Sequence, residues 1–595
     1  MNSAPNDLAQ NRRLCVLKFG GSVLTTETSY AEAGAEIYRH VRAGEKAIVI
    51  VSALFGETDQ LLAQAEKLGA DASASMTAKL ARLGEYRSAA LMGLVLARMG
   101  VRARVLDPHE IGLEAEGDPL DADLAHLDED ALAEAIEQNE VVVVPGFTAV
   151  HAQYGAATLG RGGTDLTAVF FAARAGAQRA RLIKDVDGVY TDDPAKDPSA
   201  KRYDRLDYDT ALACSHGLIQ PKAIEAARAA GVQLEVAAMG AGEASCVSAG
   251  PAVLGRARTQ PPLRVALLGC GSVGSGVLDH MKARPDLFEL NPVLVRRPEK
   301  RESDERALFT ADIGRALSGG PDLVVEVMGG ADDPAAIMRG ALEAGADVVT
   351  ANKAAVAKHY AALHASASKG SSRLEYAAAV GGGVVMVETV RRLKPGGIAA
   401  VEGVMNGTAN FILSRLESGV DFESALIEAQ AKGFAEADPS ADVDGHDAAD
   451  KLSILIREAF GADMPPGRIP KASLSQITAE MSAQPLKDGK VNNQIALARS
   501  TAGGGVDDEI VIEPVSRTHA FAGAVNEENR CLITASSGRI HALYGKGAGR
   551  WPTAAAVFAD IMDIARHRAS DGAMSGRPAA ASVSPRLAAA ALNRA

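Results

Sequence analysis

The sequence has few aromatic residues and few cysteines. Only 4% of its 595 residues are Phe, Trp or Tyr, so we expect cores packed mainly from aliphatic and small side chains. The five cysteines lie far apart, with no Cys-x-x-Cys pair and no Cys/His ligand spacing. Such a scattered, odd-numbered set is typical of reduced thiols. It excludes a disulfide framework and a zinc site of the usual spacing.

Long apolar runs and an excess of positive charge are also missing. No apolar run reaches the roughly 20 residues that a membrane-spanning helix needs, and the N-terminus lacks the apolar core of a signal peptide. The net charge of −13 argues against nucleic acid or an anionic membrane as the main partner. We therefore expect a cytoplasmic protein that binds neither nucleic acid nor membrane.

A glycine-rich turn follows an apolar run in the second half of the chain. LRVALLGCGSVG (263–274) places Gly269, Gly271 and Gly274 after a predicted strand and before a helical stretch. In this context the G-x-G-x-x-G spacing predicts a Rossmann dinucleotide site, because glycines allow a tight turn and a close approach of pyrophosphate to the helix N-terminus. Without that context, the motif is easily met by chance in a glycine-rich chain.

Basic residues follow in the next predicted strand, NPVLVRRPEKR (291–301). Where a cofactor with a free 2′-hydroxyl is usually met by Asp or Glu, the sequence has Arg296, Arg297, Lys300 and Arg301. These residues favour a 2′-phosphate and hence NADP over NAD. A solvated basic loop would account for the same residues nearly as well.

An acidic segment, GFAEADPSADVDGHDAADKL (433–452), has a single lysine near its end. If the chain after Gly445 is helical, Asp447 and Lys451 share a face because they are four residues apart. A second lysine, Lys353, follows the predicted strand ADVVT, and doubly wound sheets bind ligands at the carboxyl ends of their strands. Hydride transfer to a carbonyl leaves an alkoxide that needs a proton, so these two lysines are candidate donors. A solvated acidic loop is the alternative.

From residue 263 to about 568 the chain resembles the homoserine dehydrogenases. The acidic segment carries this resemblance most specifically. Four other motifs contribute: GCGSVGSGV (269–277), TANKAAVA (350–357), MNGTANFIL (405–413) and GKGAGRWPTAAAV (545–557). The resemblance implies that aspartate semialdehyde and homoserine are the substrates, with NADP or NAD as cofactor.

The same resemblance implies roles for individual residues. Glu436 and Asp442 would bind the amino-acid substrate, and Asp447 would orient the reacting group. Lys451 would give the proton to the aldehyde oxygen, and Lys353 would lie between nicotinamide and substrate. Beside the three glycines, the cofactor contacts would include Ser272, Val273, Arg296, Thr350 and Lys353.

One position departs from this family. Its members usually have a glutamate three residues before the valine of a Val-Gly-Gly-Gly loop, and that acid helps to hold a monovalent cation. Here Ala377 occupies the position, in YAAAVGGGVV (376–385), and Val385 replaces the family's proline. The nearby Glu375 would point to the opposite face if the segment is a strand. A standard sodium site is therefore not expected.

The first half opens with a strand that delivers Lys18 and two glycines, LCVLKFGG (14–21). A lysine beside consecutive glycines can present a cation and backbone N–H groups to phosphates. In RGGTD, Asp165 lies just ahead of an Ala- and Phe-rich stretch and can organise metal-bound water or the acceptor. In LIKDVDGVYTDDP, Lys184 and Asp185 end another apolar strand. A strand followed by an ordinary turn would be the simplest reading of the first motif alone.

Together these motifs resemble the amino acid kinase superfamily and, within it, aspartokinase. VVVVPGF (141–147) and RLGEYRSAAL (82–91) add to the resemblance. The implied roles divide into three groups: ATP contacts, with Mg²⁺, by Lys18, Gly20, Gly21, Lys184 and Asp185; L-aspartate binding by Thr58, Glu85 and Arg161; and support of catalysis by Lys18 and Asp165.

This half also departs from its family. Val23 replaces one hydroxyl of the usual Gly-Gly-Thr-Ser motif, and Gln220-Pro221-Lys222 stands where His-Pro-Arg is usual. Aspartokinases normally continue into a pair of regulatory ACT domains, which need roughly 100 residues or more. Only a short Gly/Pro-containing stretch separates the two halves here, so these domains are not expected between them.

We therefore expect an α/β protein: an amino-acid-kinase-type αβα sandwich, then a Rossmann NAD(P) domain, then an α+β substrate and dimerisation domain. A homodimer or larger homo-oligomer is expected, because the family pairs through that last domain. The expected boundaries are 1–13 for a disordered N-terminus, 14–240 for the kinase-like domain, 241–262 for a linker, 263–390 for the Rossmann domain, 391–568 for the substrate domain and 569–595 for a flexible tail.

The resulting hypothesis is a bifunctional enzyme of threonine and methionine biosynthesis. One half would convert ATP and L-aspartate to 4-phospho-L-aspartate, and the other would reduce aspartate 4-semialdehyde to L-homoserine. The alternative is a dehydrogenase whose kinase-like domain is an inactive scaffold or ligand sensor. Val23 motivates that alternative, whereas the retained Lys18, Arg161 and Asp165 oppose it. In a third reading, a non-catalytic amino-acid sensor, the constellation from Glu436 to Lys451 would be idle.

Overall fold

The computed structural model describes residues 14–69, 73–197, 199–255, 261–302 and 305–571. The chain forms two compact units, Met1–Thr259 and Gln260–Ala595. The N-terminus expected to be disordered (1–13) and nearly all of the expected tail (569–595) lie outside the described residues. Within the described ranges, no helix has both the length and the apolar character needed to cross a membrane.

The first unit is built from thirteen strands and eight helices among its described residues. Its strands are β1 (Leu14–Phe19), β2 (Lys46–Val51), β3 (Ala103–Val105), β4 (Glu114–Asp118), β5 (Asp121–His126), β6 (Val141–Pro145), β7 (Thr148–Ala149), β8 (Ala157–Thr158), β9 (Arg179–Lys184), β10 (Tyr203–Leu206), β11 (Gln233–Ala238), β12 (Ser245–Val247) and β13 (Val253–Leu254). Its helices are α1 (Ser29–Arg42), α2 (Glu57–Lys67), α3 (Ala74–Ala81), α4 (Leu83–Met99), α5 (Glu129–Gln138), α6 (Gly163–Arg174), α7 (Tyr208–Cys214) and α8 (Pro221–Ala230).

One nine-stranded sheet, in the order β13-β10-β12-β11-β9-β1-β2-β6-β3, organises this unit. The central strands from β11 to β3 are parallel. Strands β1 and β6 are buried along their whole length and apolar apart from Lys18, as expected for strands covered on both faces. Helices α5, α6 and α8 share a core with one face, and α1 and α4 pack against the other. The predicted αβα sandwich is confirmed.

The segment 241–262, interpreted from the sequence as a linker, contributes two strands to this sheet. β12 pairs with β10 and β11, and β13 pairs with β10. The linker interpretation is therefore wrong for this part of the segment. Strands of three and two residues are too short to show a hydrophobic period, and their position depends on partners elsewhere in the chain.

The second unit has its own set of strands and helices. Its strands are β14 (Leu263–Leu268), β15 (Phe288–Leu290), β16 (Val293–Leu294), β17 (Phe309–Thr310), β18 (Leu323–Glu326), β19 (Asp347–Thr350), β20 (Leu374–Glu375), β21 (Ile398–Val404), β22 (Lys490–Ser500), β23 (Val506–Ser516), β24 (Glu528–Ala535) and β25 (Ile540–Lys546). Its helices are α9 (Ser272–Lys282), α10 (Ile313–Ala316), α11 (Asp332–Glu343), α12 (Lys353–Gly370), α13 (Met386–Leu393), α14 (Gly407–Glu417), α15 (Phe422–Ala431), α16 (Ser440–Val443), α17 (His446–Phe460), α18 (Ala479–Lys487) and α19 (Arg550–Asp571).

Two sheets divide this unit. The first is parallel, in the order β17-β16-β14-β18-β19-β20 with β15 beside β14, and it has the Rossmann arrangement. The second is antiparallel, in the order β23-β22-β21-β24-β25. Helix α17 packs on the second sheet with Leu452, Ile454 and Leu455 in the core. The predicted order of a Rossmann domain followed by an α+β domain is confirmed.

The last helix, α19, returns to the Rossmann sheet. Phe558 stacks on His280 of α9 with ring centres 4.8 Å apart, and Arg568 binds the buried Asp347 at 2.6 Å. A boundary that assigns all of 391–568 to the substrate domain therefore misplaces this helix. Its Ala-rich sequence gives no sign of which sheet it packs on, because that depends on complementary surfaces far away in the chain.

Candidate functional site

The glycine turn between β14 and α9 is closed on one side and open on the other. Gly269 has φ +99°, and a side chain there would meet the carbonyl of Val327 at 2.8 Å. An added Cβ at Gly271 would meet nothing within 4 Å. Because α9 starts at Ser272, its free N–H groups face this open space. The turn therefore has the space and the donors that a dinucleotide pyrophosphate requires.

The basic residues of the segment 291–301 follow strand β16, which is shorter than the sequence predicts. The strand predicted over 291–301 is limited to Val293–Leu294, and Arg296, Arg297 and Lys300 are exposed after it. Arg301 instead turns inward, donates to the carbonyl of Cys270 at 2.5 Å and stacks on Phe309. Two prolines and four cations in eleven residues disfavour a longer strand. Arg301 thus ties the basic loop to the glycine turn.

A buried polar network fixes the start of α12. The fully buried Glu326 at the end of β18 accepts from Thr350 Oγ1 at 2.6 Å and from the Met328 N–H at 2.7 Å. Asn352 caps α12 by accepting from the Ala355 N–H at 3.1 Å, and it donates to the carbonyl of Gly330 at 2.8 Å. Lys353 is the first residue of this helix. The ends of β18 and β19 therefore determine the position of Lys353 at the start of α12.

Asp447, in the first turn of α17, lies between two lysines. Its Oδ1 is 2.9 Å from Nζ of Lys353, and its Oδ2 is 2.7 Å from Nζ of Lys451. Lys451 also donates to the carbonyl of Met405 at 2.5 Å. Asp447 and Lys451 are both 8% exposed, which leaves little water to compete with these bonds. The helix begins at His446, so the four-residue spacing does put Asp447 and Lys451 on one face.

The two ammonium groups control the charge of Asp447. Burial raises the pKa of this carboxyl, but Lys451 and Lys353 outweigh burial and hold the pKa well below its usual range. In return, Asp447 raises the pKa of Lys353. Burial raises the pKa of Asp442 and of Asp450. Asp447 is therefore ionised at neutral pH and holds both amines.

Two functional residues were given no role from the sequence. Asn406 donates to Asp442 at 2.7 Å and to Asp447 at 2.8 Å, and Thr408 donates to Asp442 at 3.1 Å. The available signal was an Asn directly before an apolar helical stretch, which predicts an N-cap. That signal gives no information on the two carboxylates. Glu436, by contrast, is exposed, and only its main-chain carbonyl makes a hydrogen bond in the described structure.

The segment around Ala377 does not fit the family's cation site. Ala377 is buried in a short 3₁₀ turn (Ala377–Ala379) rather than a strand, and its N–H donates to Asp560 at 3.2 Å. The neighbouring Glu375 pairs with Arg391 at 2.7 Å. A methyl group thus stands where the family has a carboxylate, so this segment lacks that acid as a ligand for a monovalent cation.

In the first unit, Asp165 also lies between two lysines. Its carboxylate is 2.7 Å from Nζ of Lys18 and 3.2 Å from Nζ of Lys184, and all three residues are buried. Burial raises the pKa of Asp165, but Lys18 and Lys184 outweigh it and lower the pKa. Burial, together with the charge of Lys18, lowers the pKa of Lys184 to about 8. The trio lies at the ends of β1 and β9 and at the start of α6.

A cavity of about 300 Å³ lies beside Gly21 and Thr164, and Thr58, Glu85 and Arg161 line it. Burial raises the pKa of Glu85 to about 7. Oε1 of Glu85 accepts from Thr58 Oγ1 at 3.4 Å, whereas Oε2 is buried and has no hydrogen-bond partner among the described residues. The structure therefore brings the three predicted aspartate-binding residues together, with an acceptor that suits an ammonium group.

The other residues assigned to the kinase site from the sequence do not line this cavity. Gly20 is covered by the Lys18 side chain, so that an added Cβ would meet Nζ at 2.6 Å. Asp185 is exposed after β9. Gln220 packs against Gly162, and Lys222 pairs with Asp121 at 2.8 Å. The segment Gln220–Lys222, which replaces the family's His-Pro-Arg, therefore borders the loop before α6 at Gly162.

Both halves of the chain match models of known protein families. Residues 269–377 match the family model of the homoserine dehydrogenase NAD binding domain, and residues 386–562 match that of homoserine dehydrogenase. Residues 13–238 match the amino acid kinase family. The chain is 34% identical to a homoserine dehydrogenase of Synechocystis sp. over 319 residues, which cover 51% of this chain and 73% of the relative.

Two further relatives have the same name. A homoserine dehydrogenase of Corynebacterium glutamicum is 35% identical over 332 residues, which cover 52% of this chain and 74% of the relative. A solved homoserine dehydrogenase from Thiobacillus denitrificans is 31% identical, with a TM-score of 0.49, and the match covers 55% of this chain and 78% of that one. By its family-model matches and its identity to the Synechocystis and Corynebacterium enzymes, the chain belongs to the homoserine dehydrogenase family, with an amino acid kinase domain fused ahead of the dehydrogenase.

Proposed function

We propose that the dehydrogenase reaction depends on the Lys353–Asp447–Lys451 cluster. Reduction of aspartate semialdehyde turns its carbonyl oxygen into an alkoxide that takes up a proton. A nicotinamide cofactor, held at the glycine turn, would supply the hydride. Lys451, buried and held by Asp447 and the Met405 carbonyl, is the proton donor. The observation that supports this role is that one carboxylate, that of Asp447, binds both Lys353 and Lys451.

The remaining residues bind and orient the substrate. Asp442, close to Asn406 and Thr408, accepts hydrogen bonds from the substrate's ammonium group, and the exposed Glu436 is the second acid that binds the substrate. Lys353 lies at the helix start next to the strand ends where the nicotinamide would bind. In homoserine oxidation the roles reverse, and the neutral amine of Lys451 takes the hydroxyl proton.

Replacing Lys451 tests this assignment. A positioned acid or base contributes about 10²–10⁴-fold to rate, so Lys451→Ala should lower homoserine-dependent reduction of NADP⁺ by that factor. Aspartate-dependent ADP release by the same preparation should be unchanged, because it belongs to the other unit. Lys487→Ala, on the exposed side of α18, is the matched control. Full dehydrogenase activity in Lys451→Ala, or loss of both activities together, would contradict the proposal.

We propose NADP as the preferred cofactor. The exposed Arg296, Arg297 and Lys300 follow β16, and Arg301 anchors their loop to the glycine turn. A 2′-phosphate placed among these cations would gain charge-assisted hydrogen bonds that a 2′-hydroxyl cannot make.

Charge removal should therefore change cofactor selectivity. In the triple variant Arg296→Ala, Arg297→Ala and Lys300→Ala, the ratio of kcat/KM for NADP⁺ over NAD⁺ should fall about tenfold or more, the equivalent of about 1.4 kcal/mol. Arg339→Ala, exposed on α11, controls for loss of a surface cation. Equal use of both cofactors by the unaltered enzyme, with no change in the variant, would disprove this preference.

We propose further that the first unit is an aspartate kinase. The ammonium groups of Lys18 and Lys184 and the N-terminus of α6 would face the transferring phosphoryl group, where positioning and cationic stabilisation do most of the catalysis. ATP with Mg²⁺ supplies that group. Glu85, Thr58 and Arg161 would bind aspartate in the adjoining cavity. The observation that favours activity over an inactive scaffold is the buried Glu85 Oε2, which has no partner among the described residues.

Aspartate-dependent ADP release tests this activity. Asp165→Ala should reduce the release by about 10²-fold or more, because it leaves two buried cations without their carboxylate. Since Glu85 has a pKa of about 7, kcat/KM for aspartate should rise as pH increases through about 7, and Glu85→Gln should remove that rise. Homoserine oxidation is the internal control for folding. No ADP release by the unaltered enzyme would make the first unit a scaffold or sensor.

We also propose a homodimer or larger homo-oligomer. The support is the resemblance to dehydrogenases that pair through their second domain, here the domain with the antiparallel sheet.

A further inference from the structure

Asn406 is the only side chain in the described structure seen to donate to both acids of the dehydrogenase site. One amide nitrogen, Nδ2, lies 2.7 Å from Oδ1 of Asp442 and 2.8 Å from Oδ2 of Asp447. The other end of the amide, Oδ1, accepts from the Ala409 N–H at 2.8 Å and caps α14. Both ends of this side chain are therefore engaged.

The cap fixes the direction of the amide. Because Oδ1 must accept from the helix, the NH₂ group can only face the two carboxylates. Asn406 is 4% exposed, so water has little access to replace it. A neutral donor with two hydrogens thus separates two acids that would otherwise repel each other at close range.

We propose that Asn406 is the positioning residue that assigns the two acids to different tasks. It holds Asp447 on the lysines and holds Asp442 beside them, where the remaining lone pairs of Asp442 can accept from the substrate's ammonium group. The proposal rests on the roles given above to Asp442, Asp447 and Lys451. Nothing in it requires Asn406 to touch the substrate.

The main chain strengthens this arrangement. The carbonyl of Met405, the residue before Asn406, accepts from Lys451. The same turn therefore holds the amine from one side and the carboxylate that binds it from the other. Thr408, two residues later, donates to Oδ2 of Asp442. A shift of this turn would move the acid, its amine and the substrate carboxylate together.

Two substitutions separate positioning from helix capping. Asp and Ser both cap helices well, so Asn406→Asp and Asn406→Ser keep the cap but lose the two-hydrogen donor. We expect kcat for homoserine oxidation to fall about tenfold or more in Asn406→Asp and by a smaller factor in Asn406→Ser.

The pH profile supplies the decisive readout. The charged groups around Lys451 are Asp447, Lys353, Asp442 and Asp450. Asn406→Asp adds a further negative charge, which favours the protonated amine. The rising limb of the oxidation profile should therefore move to higher pH, by about one unit, and Asn406→Ser should move it less.

Controls keep the possible outcomes apart. Asp421→Asn changes a helix cap in the same domain, away from the site, and should leave kcat and the profile unchanged. If both Asn406 variants keep the normal kcat and profile, Asn406 only caps α14 and the inference is wrong. A lower melting temperature with an unmoved profile would also overturn it. Normal activity of Lys451→Ala would instead refute the proposed proton donor.

Discussion

A buried aspartate that holds two lysines is the interaction on which both halves depend. The two trios are Lys353–Asp447–Lys451 and Lys18–Asp165–Lys184. Burying an isolated charge is costly, and removing one partner of a buried ion pair typically costs about 3–5 kcal/mol. Each trio retains one net positive charge. That charge would suit an alkoxide in one site and phosphate oxygens in the other, because both proposed reactions bring negative charge against the lysines.

Short-range patterns predicted one contact of these trios, the one between Asp447 and Lys451. The four-residue spacing of Asp447 and Lys451 needs only a helix, which begins at His446. The glycine turn needs only the strand before it and the helix after it, and both are present. Motifs at strand ends place Lys18 and Lys184 together, because β1 and β9 are parallel neighbours. Predictions of this kind succeed when the geometry is local or when the sheet brings strand ends to one edge.

Features that depend on distant packing were not predictable. Asn406 reads as an ordinary N-cap, and only the folded chain brings it to the two carboxylates. The return of α19 to the Rossmann sheet, and the two short strands inside the expected linker, depend on partners far away in sequence. The sequence predicts strand through the basic stretch after β16, because the apolar start of that stretch masks the effect of its prolines and charges. Tertiary context determined each of these.

Asp447→Asn tests the central role of the carboxylate most directly. The substitution keeps the shape of the side chain and removes its charge. If Asp447 holds Lys451 and Lys353 through that charge, kcat for homoserine oxidation should fall about 10²-fold. The rising limb of the pH profile should move to lower pH, because an amine without its carboxylate loses its proton more readily. A normal kcat with an unmoved profile would contradict the account.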